Sequence, residues 1–237
     1  MKKAFLLILF ALLTLTTSSV TAHPQPNKSV TSATTSTATL IDGTETVLFS
    51  NSQRVSRDSA VKIEGMMGGH GSGTYIEVDN HYLVITARHV VDSSEVYYVS
   101  TPTEKVVGQV IWKSQTKDMA VLKIPRLTSR TAASLPRTGE LDVGDEVTYT
   151  GYPADYRLLT TKARVSGHEG SYRATLLQGF VWFGYSGSGG FDNSGKLRTI
   201  IFAIAAESYR GQPQLLETLV YSHEISKSDV AEIRAVL

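Results

Sequence analysis

The sequence predicts an all-β fold, sandwich or barrel, on three observations. Beyond about residue 46 the chain is a succession of short runs rich in Val, Ile, Thr and Tyr, residues that fit a pleated, half-buried surface. Turn-forming residues interrupt these runs at short intervals, as in antiparallel sheets rather than in alternating strands and helices. The one segment singled out for helical spacing lies at the very end, where Val230, Ile233 and Leu237 follow two candidate caps, Ser226 and Ser228.

Strands are predicted over Thr74–Val78, Tyr82–Ile85, Val96–Ser100, Val106–Trp112, Met119–Ile124, Glu146–Tyr149, Ala174–Leu177 and Thr199–Ile204. Asp79-Asn80 between the first two suits a tight hairpin, because both residue types tolerate positive φ. The mixed stretch from Pro125 to Gly139, with a second proline at Pro136, reads as a connection between two halves. The terminal helix is expected to pack its apolar stripe on the body.

The first 45 residues are of another kind. Met1-Lys2-Lys3, the apolar run Ala4 to Leu13, a Thr/Ser stretch and Val20-Thr21-Ala22 have the three parts of a secretory signal, with cleavage expected after Ala22. A retained anchor is the alternative, although the apolar run is short of the ~20 residues a helix needs to cross a bilayer. Residues 23–45 are mostly Ser, Thr, Pro and Ala, with little to bury, and read as a flexible tether rather than a glycosylated stalk or propeptide. Residues 46–237 form the expected folded domain, exported to the periplasm or beyond the cell.

Charge and cysteine content narrow the function. With 23 basic and 22 acidic residues, the chain has no field that would draw nucleic acid or, beyond the signal, an anionic membrane. It has no cysteine, which excludes disulfides, thiolate metal sites and a lipid-anchoring cysteine. No pair of its histidines has metal-ligand spacing.

Three segments carry chemistry: Thr86-Ala87-Arg88-His89-Val90-Val91, Lys117-Asp118-Met119-Ala120-Val121-Leu122 and Gly184-Tyr185-Ser186-Gly187-Ser188-Gly189. Serine needs an imidazole to take its proton and a carboxylate to hold that imidazole's tautomer. His89 follows an apolar strand after only three residues, which puts it on rigid backbone. Asp118 opens another strand; Asp92, only three residues past His89, is badly placed to reach the ring's far nitrogen. Ser186 lies in a glycine-dense turn where the amides of Gly184 and Ser186 can converge on an oxyanion. Ser188 is the register alternative. His23, His70, His81, His168 and His223 are read as ordinary surface or core residues.

These residues, in the order His, Asp, Ser, resemble the trypsin/chymotrypsin superfamily, most closely the bacterial high-temperature-requirement proteases and glutamyl endopeptidases. Gly71-Ser72-Gly73 resembles the start of the first barrel, Val143-Gly144-Asp145 with Gly151-Tyr152-Pro153 the stretch opening the second, and Val165-Ser166-Gly167 and Gly195-Lys196-Leu197 a later strand and turn. The resemblance implies two six-stranded antiparallel β-barrels and a serine endopeptidase that needs no metal or organic cofactor. It also implies a primary pocket floored by Leu177–Phe183, with Phe180 as a substrate-binding residue. Ala203 and Ala205 fall on the strand that pairs with an extended polypeptide. A monomer is expected. Tyr185 stands where digestive members have Asp, so activation by a new N-terminal amine is not implied; the acid-free pocket segment argues against selection of Lys or Arg. Two rival functions remain at this point: a catalytically inactive peptide-binding protein on the same scaffold, and an esterase. The glycine pattern at Gly184–Ser188 and the chain order both disagree with the esterase.

Overall fold

The computed structural model describes residues 5–6, 49–66, 68–134, 136–154, 156–209 and 212–237. The signal sequence, apart from residues 5–6, and the tether at 23–45 lie outside the described residues. A two-residue strand, β1 (Phe5–Leu6), is followed by a helix, α1 (Asn51–Ser59). Six strands come next: β2 (Ala60–Glu64), β3 (His70–Val78), β4 (His81–Thr86), β5 (Val96–Ser100), β6 (Lys105–Lys113) and β7 (Ala120–Lys123). They close into a barrel in the order β2-β3-β4-β7-β6-β5, every neighbouring pair antiparallel.

The second half supplies β8 (Glu146–Gly151), β9 (Leu159–Glu169), β10 (Ala174–Gln178), β11 (Gly189–Phe191), β12 (Leu197–Tyr209) and β13 (Gln212–Glu224), and ends in α2 (Lys227–Ala235). Here the order is β12-β11-β8-β9-β10-β13, and pairing of β13 back onto β12 closes the second barrel. The fold is thus a pair of closed six-stranded antiparallel barrels with a short C-terminal helix. Closure removes the free sheet edges that would otherwise invite mispairing.

Each barrel has its own apolar filling. Val61, Ile63, Tyr75, Val84, Val99 and Leu122 fill the first, while Val147, Tyr149, Val165, Leu177, Ile201 and Val220 fill the second. A third cluster joins them: Ile76, Leu83, Ile85 and Met119 meet Phe191, Leu197, Ile200 and Ile225, with Ile233 of α2 on top. Val230 and Leu237 pack against the same cluster, so the helix buries its stripe on the body as expected, and Ser226 rather than Ser228 is its cap.

The hairpin at Asp79-Asn80 is a two-residue turn with φ of 48° and 64°, joining Val78 to its partner His81. Most predicted strands lengthen by a residue or more at their ends, and Met119–Ile124 shortens to β7. Five strands, β1, β2, β9, β11 and β13, fall outside the eight runs predicted as strands, and α1 was not anticipated from the sequence. α1 docks through hydroxyls rather than an apolar face: Ser52 contacts Thr148 at 3.2 Å, and Ser56 donates to Thr150 at 2.7 Å. β9 is largely polar, and β11 is Gly-Gly-Phe, where side chains on Gly189 and Gly190 would collide with Thr74 and Thr199.

α2 follows the second barrel in sequence but is fastened to the first. Lys117 Nζ donates to Asp229 Oδ2 at 2.6 Å and to the Glu224 carbonyl at 2.7 Å, and Trp112 Nε1 donates to Glu232 at 3.1 Å. The side chains of Lys117 and Asp229 are only 14% and 5% exposed. Breaking a buried pair strands an uncompensated charge, whereas exposed pairs contribute little. Asp229→Ala is therefore expected to cost about 3 kcal/mol in denaturant unfolding. Arg234→Ala, which removes the exposed contact to Asp79, is expected to cost less than about 1 kcal/mol.

Candidate active site

Two neighbouring strands bring the first pair of residues together. β4 and β7 are paired with Thr86 opposite Ala120. His89 lies three residues beyond Thr86, in a short 3-10 turn over Arg88–Val91, and Asp118 lies two residues before Ala120. Both side chains therefore emerge at the same end of adjacent strands. Asp118 Oδ2 accepts from His89 Nδ1 at 2.6 Å, and Oδ1 accepts from the His89 backbone N–H at 2.9 Å. A carboxylate can only accept, so the ring proton sits on Nδ1 and Nε2 carries the lone pair.

Burial by itself would raise the Asp118 pKa. The hydrogen bonds and electrostatic attraction from His89 outweigh it and hold the carboxyl below its ordinary value. Asp92, the rival acid, faces Arg88 at 3.3 Å and Lys113 at 3.7 Å instead. Arg88 also donates to the Ser114 carbonyl at 3.1 Å.

Ser186 belongs to the second barrel, in the turn leading into β11. The turn is wedged against the His89 segment: Gly187 has φ +91°, and a Cβ there would lie 2.0 Å from the Ser72 carbonyl, 2.1 Å from Thr86 Oγ1 and 3.1 Å from Ala87 N. Only glycine fits, by space and by φ. A Cβ on Gly71 would meet both Val90, beside His89, and the Ser186 carbonyl. Neither Ser186 Oγ nor His89 Nε2 hydrogen-bonds to any group among the described residues. Ser188, the register alternative, is 0% exposed with its hydroxyl unpaired among those residues.

Four consecutive carbonyls of the Ser186 turn are engaged by other groups of the protein. Phe183 O accepts from Ala154 N–H at 2.7 Å, Gly184 O from Ser72 Oγ at 2.7 Å, Tyr185 O from Ser188 N–H at 2.9 Å and Ser186 O from Ser72 N–H at 2.8 Å. The Tyr185 and Gly187 amides donate to Trp182 O and Ile201 O. Those of Gly184 and Ser186 donate to nothing among the described residues. Two free N–H groups flanking a serine suit a developing oxyanion.

Phe180 is 45% exposed, and its carbonyl accepts from Tyr149 OH at 2.6 Å. On β12, pairing with β11 stops at Ile200, Ile201 is still bonded to Gly187 and Ser188, and β1 lies beside Ala205 and Ala206, so among the described residues that edge is unpaired only over residues 202–204. Ala203 sits on this stretch and Ala205 just past it; Ala203 is half-buried and Ala205 buried. Sequence reasoning passed over Ser72, read only as part of a strand start, and Ala154, whose φ of 45° turns its N–H to Phe183. It also gave His223 an ordinary core role. That ring is 3% exposed and stacks on Phe202 at 4.0 Å, with Nδ1 3.1 Å from the Arg173 carbonyl.

A family model for the trypsin-like peptidase domain matches residues 71–200, more than half of the chain and all three segments. The chain belongs to the trypsin-like peptidase family. Among solved structures, Rv3671c from M. tuberculosis H37Rv, in an inactive form, is 19% identical over 77% of this chain and 88% of that one, with a TM-score of 0.58. The HtrA-type protease AlgW, solved with a tripeptide, is 19% identical over 78% of this chain and 62% of that one, with a TM-score of 0.62. At this identity the likeness is one of fold.

The site also sets how stability responds to acid. Asp118 binds fewer protons folded than unfolded, so its contribution is full above the ordinary carboxyl value of 3.8 and is lost as pH falls through the lower folded value. Burial pushes His223 down despite the Arg173 carbonyl and the Asp118 charge. The unfolded chain therefore takes up that proton first, and stability declines as pH falls below 6.5. Urea unfolding at stepped pH should show both windows. His223→Gln is expected to flatten the upper one and Asp118→Asn the lower.

Proposed function

We propose that this protein is an exported serine endopeptidase. Ser186 Oγ attacks the peptide carbonyl while His89 Nε2 takes its proton, giving a tetrahedral oxyanion that the Gly184 and Ser186 amides receive. Collapse breaks the C–N bond; His89 returns the proton to the leaving amine and an acyl-enzyme on Ser186 remains. Water, deprotonated by His89, then releases the acid and restores the serine. Asp118 keeps the ring in the Nδ1–H tautomer and stabilises the imidazolium formed in each half.

The observation that carries this reading is the two-point hold of Asp118 on His89, which leaves Nε2 as the open base. The packing of the Ser186 turn against Thr86 and Ala87 supports it, as does the pair of undirected amides. The edge of β12 at Ala203, unpaired between Ile201 and Ala205 among the described residues, supports a polypeptide substrate bound as an added strand, with Phe180 at the wall of the primary pocket. Export rests on the sequence of residues 1–22.

Purified protein should hydrolyse fluorescein-labelled casein, and Ser186→Ala should lose that activity while unfolding at the same denaturant concentration. Asp118→Asn should lower kcat by about 10³–10⁴-fold, since the amide disfavours the required tautomer. Binding of casein without cleavage by the wild type would instead indicate the inactive scaffold. N-terminal sequencing of the exported form is expected to begin at His23; an intact residue 1 would favour a retained anchor.

A further inference from the structure

We infer that Ser72, in the first barrel, is a positioning residue for the oxyanion-binding turn in the second; this rests on the serine-peptidase reading above. Ser72 is 0% exposed; its N–H and its hydroxyl are engaged across the junction between barrels and its carbonyl within the first barrel. Its N–H donates to Ser186 O at 2.8 Å. Its hydroxyl donates to Gly184 O at 2.7 Å and accepts from Tyr152 N–H at 2.9 Å. Its carbonyl accepts from Thr86 Oγ1 at 2.7 Å, on the strand that leads to His89.

The consequence for Gly184 follows from backbone geometry. Gly184 has φ +99° and, having no Cβ, can exchange that conformation for others at little steric cost. The turn therefore needs outside restraint. The peptide before Gly184 is held by Ala154, and the peptide after it by the Ser72 hydroxyl together with the Tyr185 amide on Trp182 O. Without the hydroxyl, Gly184 O loses its partner, and the Gly184–Tyr185 peptide, which lies between the peptides that carry the Gly184 and Ser186 amides, loses one of its two holds. An oxyanion donor off line by even a fraction of its bond is ineffective in the transition state while the bound substrate barely notices. One serine thus ties the amides that receive the oxyanion to the strand that carries the base.

The test compares Ser72→Ala, Ser72→Cys and Ser56→Ala with the wild type. Ser56 is a matched control, a buried hydroxyl on α1 that donates to Thr150. Ser72→Ala is expected to lower kcat on labelled casein by about 10–100-fold with KM within about threefold. The rate of phosphonylation by a small alkyl fluorophosphonate, which also builds an oxyanion, should fall in parallel. The acid limb of the pH–rate profile should stay in place, because His89 and Asp118 are untouched. Ser72→Cys, close in size with a weaker donor, should fall between alanine and wild type and carries the test if alanine prevents folding. Ser56→Ala should lose stability without losing rate. Ser72→Ala within threefold of wild type in both rates, an equal loss in Ser56→Ala, or a shifted acid limb would overturn the inference. A wild type that neither cleaves casein nor is phosphonylated would instead remove the peptidase reading on which it rests.

Discussion

Asp118 gives both carboxylate oxygens to one residue, and the chemistry assigned to the site depends on that. One oxygen fixes the His89 backbone and the other fixes its ring, so the imidazole has neither a second orientation nor a second tautomer open to it at low energy. Strand pairing makes this possible, since Thr86 and Ala120 are partners and the two side chains follow within three residues. Desolvation of the carboxyl would by itself work against ionisation. The hydrogen bonds from His89 reverse it, so the acid stays charged where the base must work.

The junction between barrels supplies the second constraint. Ser186 approaches the His89 segment because Gly187 lets the turn lie directly on Ser72 and Thr86, and because a shared apolar cluster from Ile76 to Ile233 presses the barrels together. The Lys117–Asp229 pair extends this to α2, since Lys117 is the residue before Asp118. The residue that holds the α2 cap and the residue that holds His89 are thus neighbours in one bend.

How far the sequence foretold this depends on what each segment uses to hold itself in place. The proposed residues His89, Asp118 and Ser186 could be singled out because each stands in a short run whose neighbours are dictated by the same constraint, an apolar strand end or a glycine turn. The Asp79-Asn80 hairpin and the Ser226 cap were legible from local chemistry alone. α1 was hidden because its buried residues are Ser52, Ser56 and Ser59, which do not form the apolar stripe by which a packed helix is recognised. β11 was hidden because close approach replaces side chains with glycine. The Ser72 hydroxyl could not be read from Gly71-Ser72-Gly73, since its two partners, the Tyr152 N–H and the Gly184 carbonyl, lie far along the chain.

The most direct measurement is peptide mapping of the purified protein after reaction with a fluorophosphonate at neutral pH. A single phosphonyl adduct on Ser186, absent after prior unfolding in urea and lost in His89→Ala, is the predicted result. An adduct on another residue, or none on a folded protein, would contradict the assignment of Ser186, His89 and Asp118 as one reacting group.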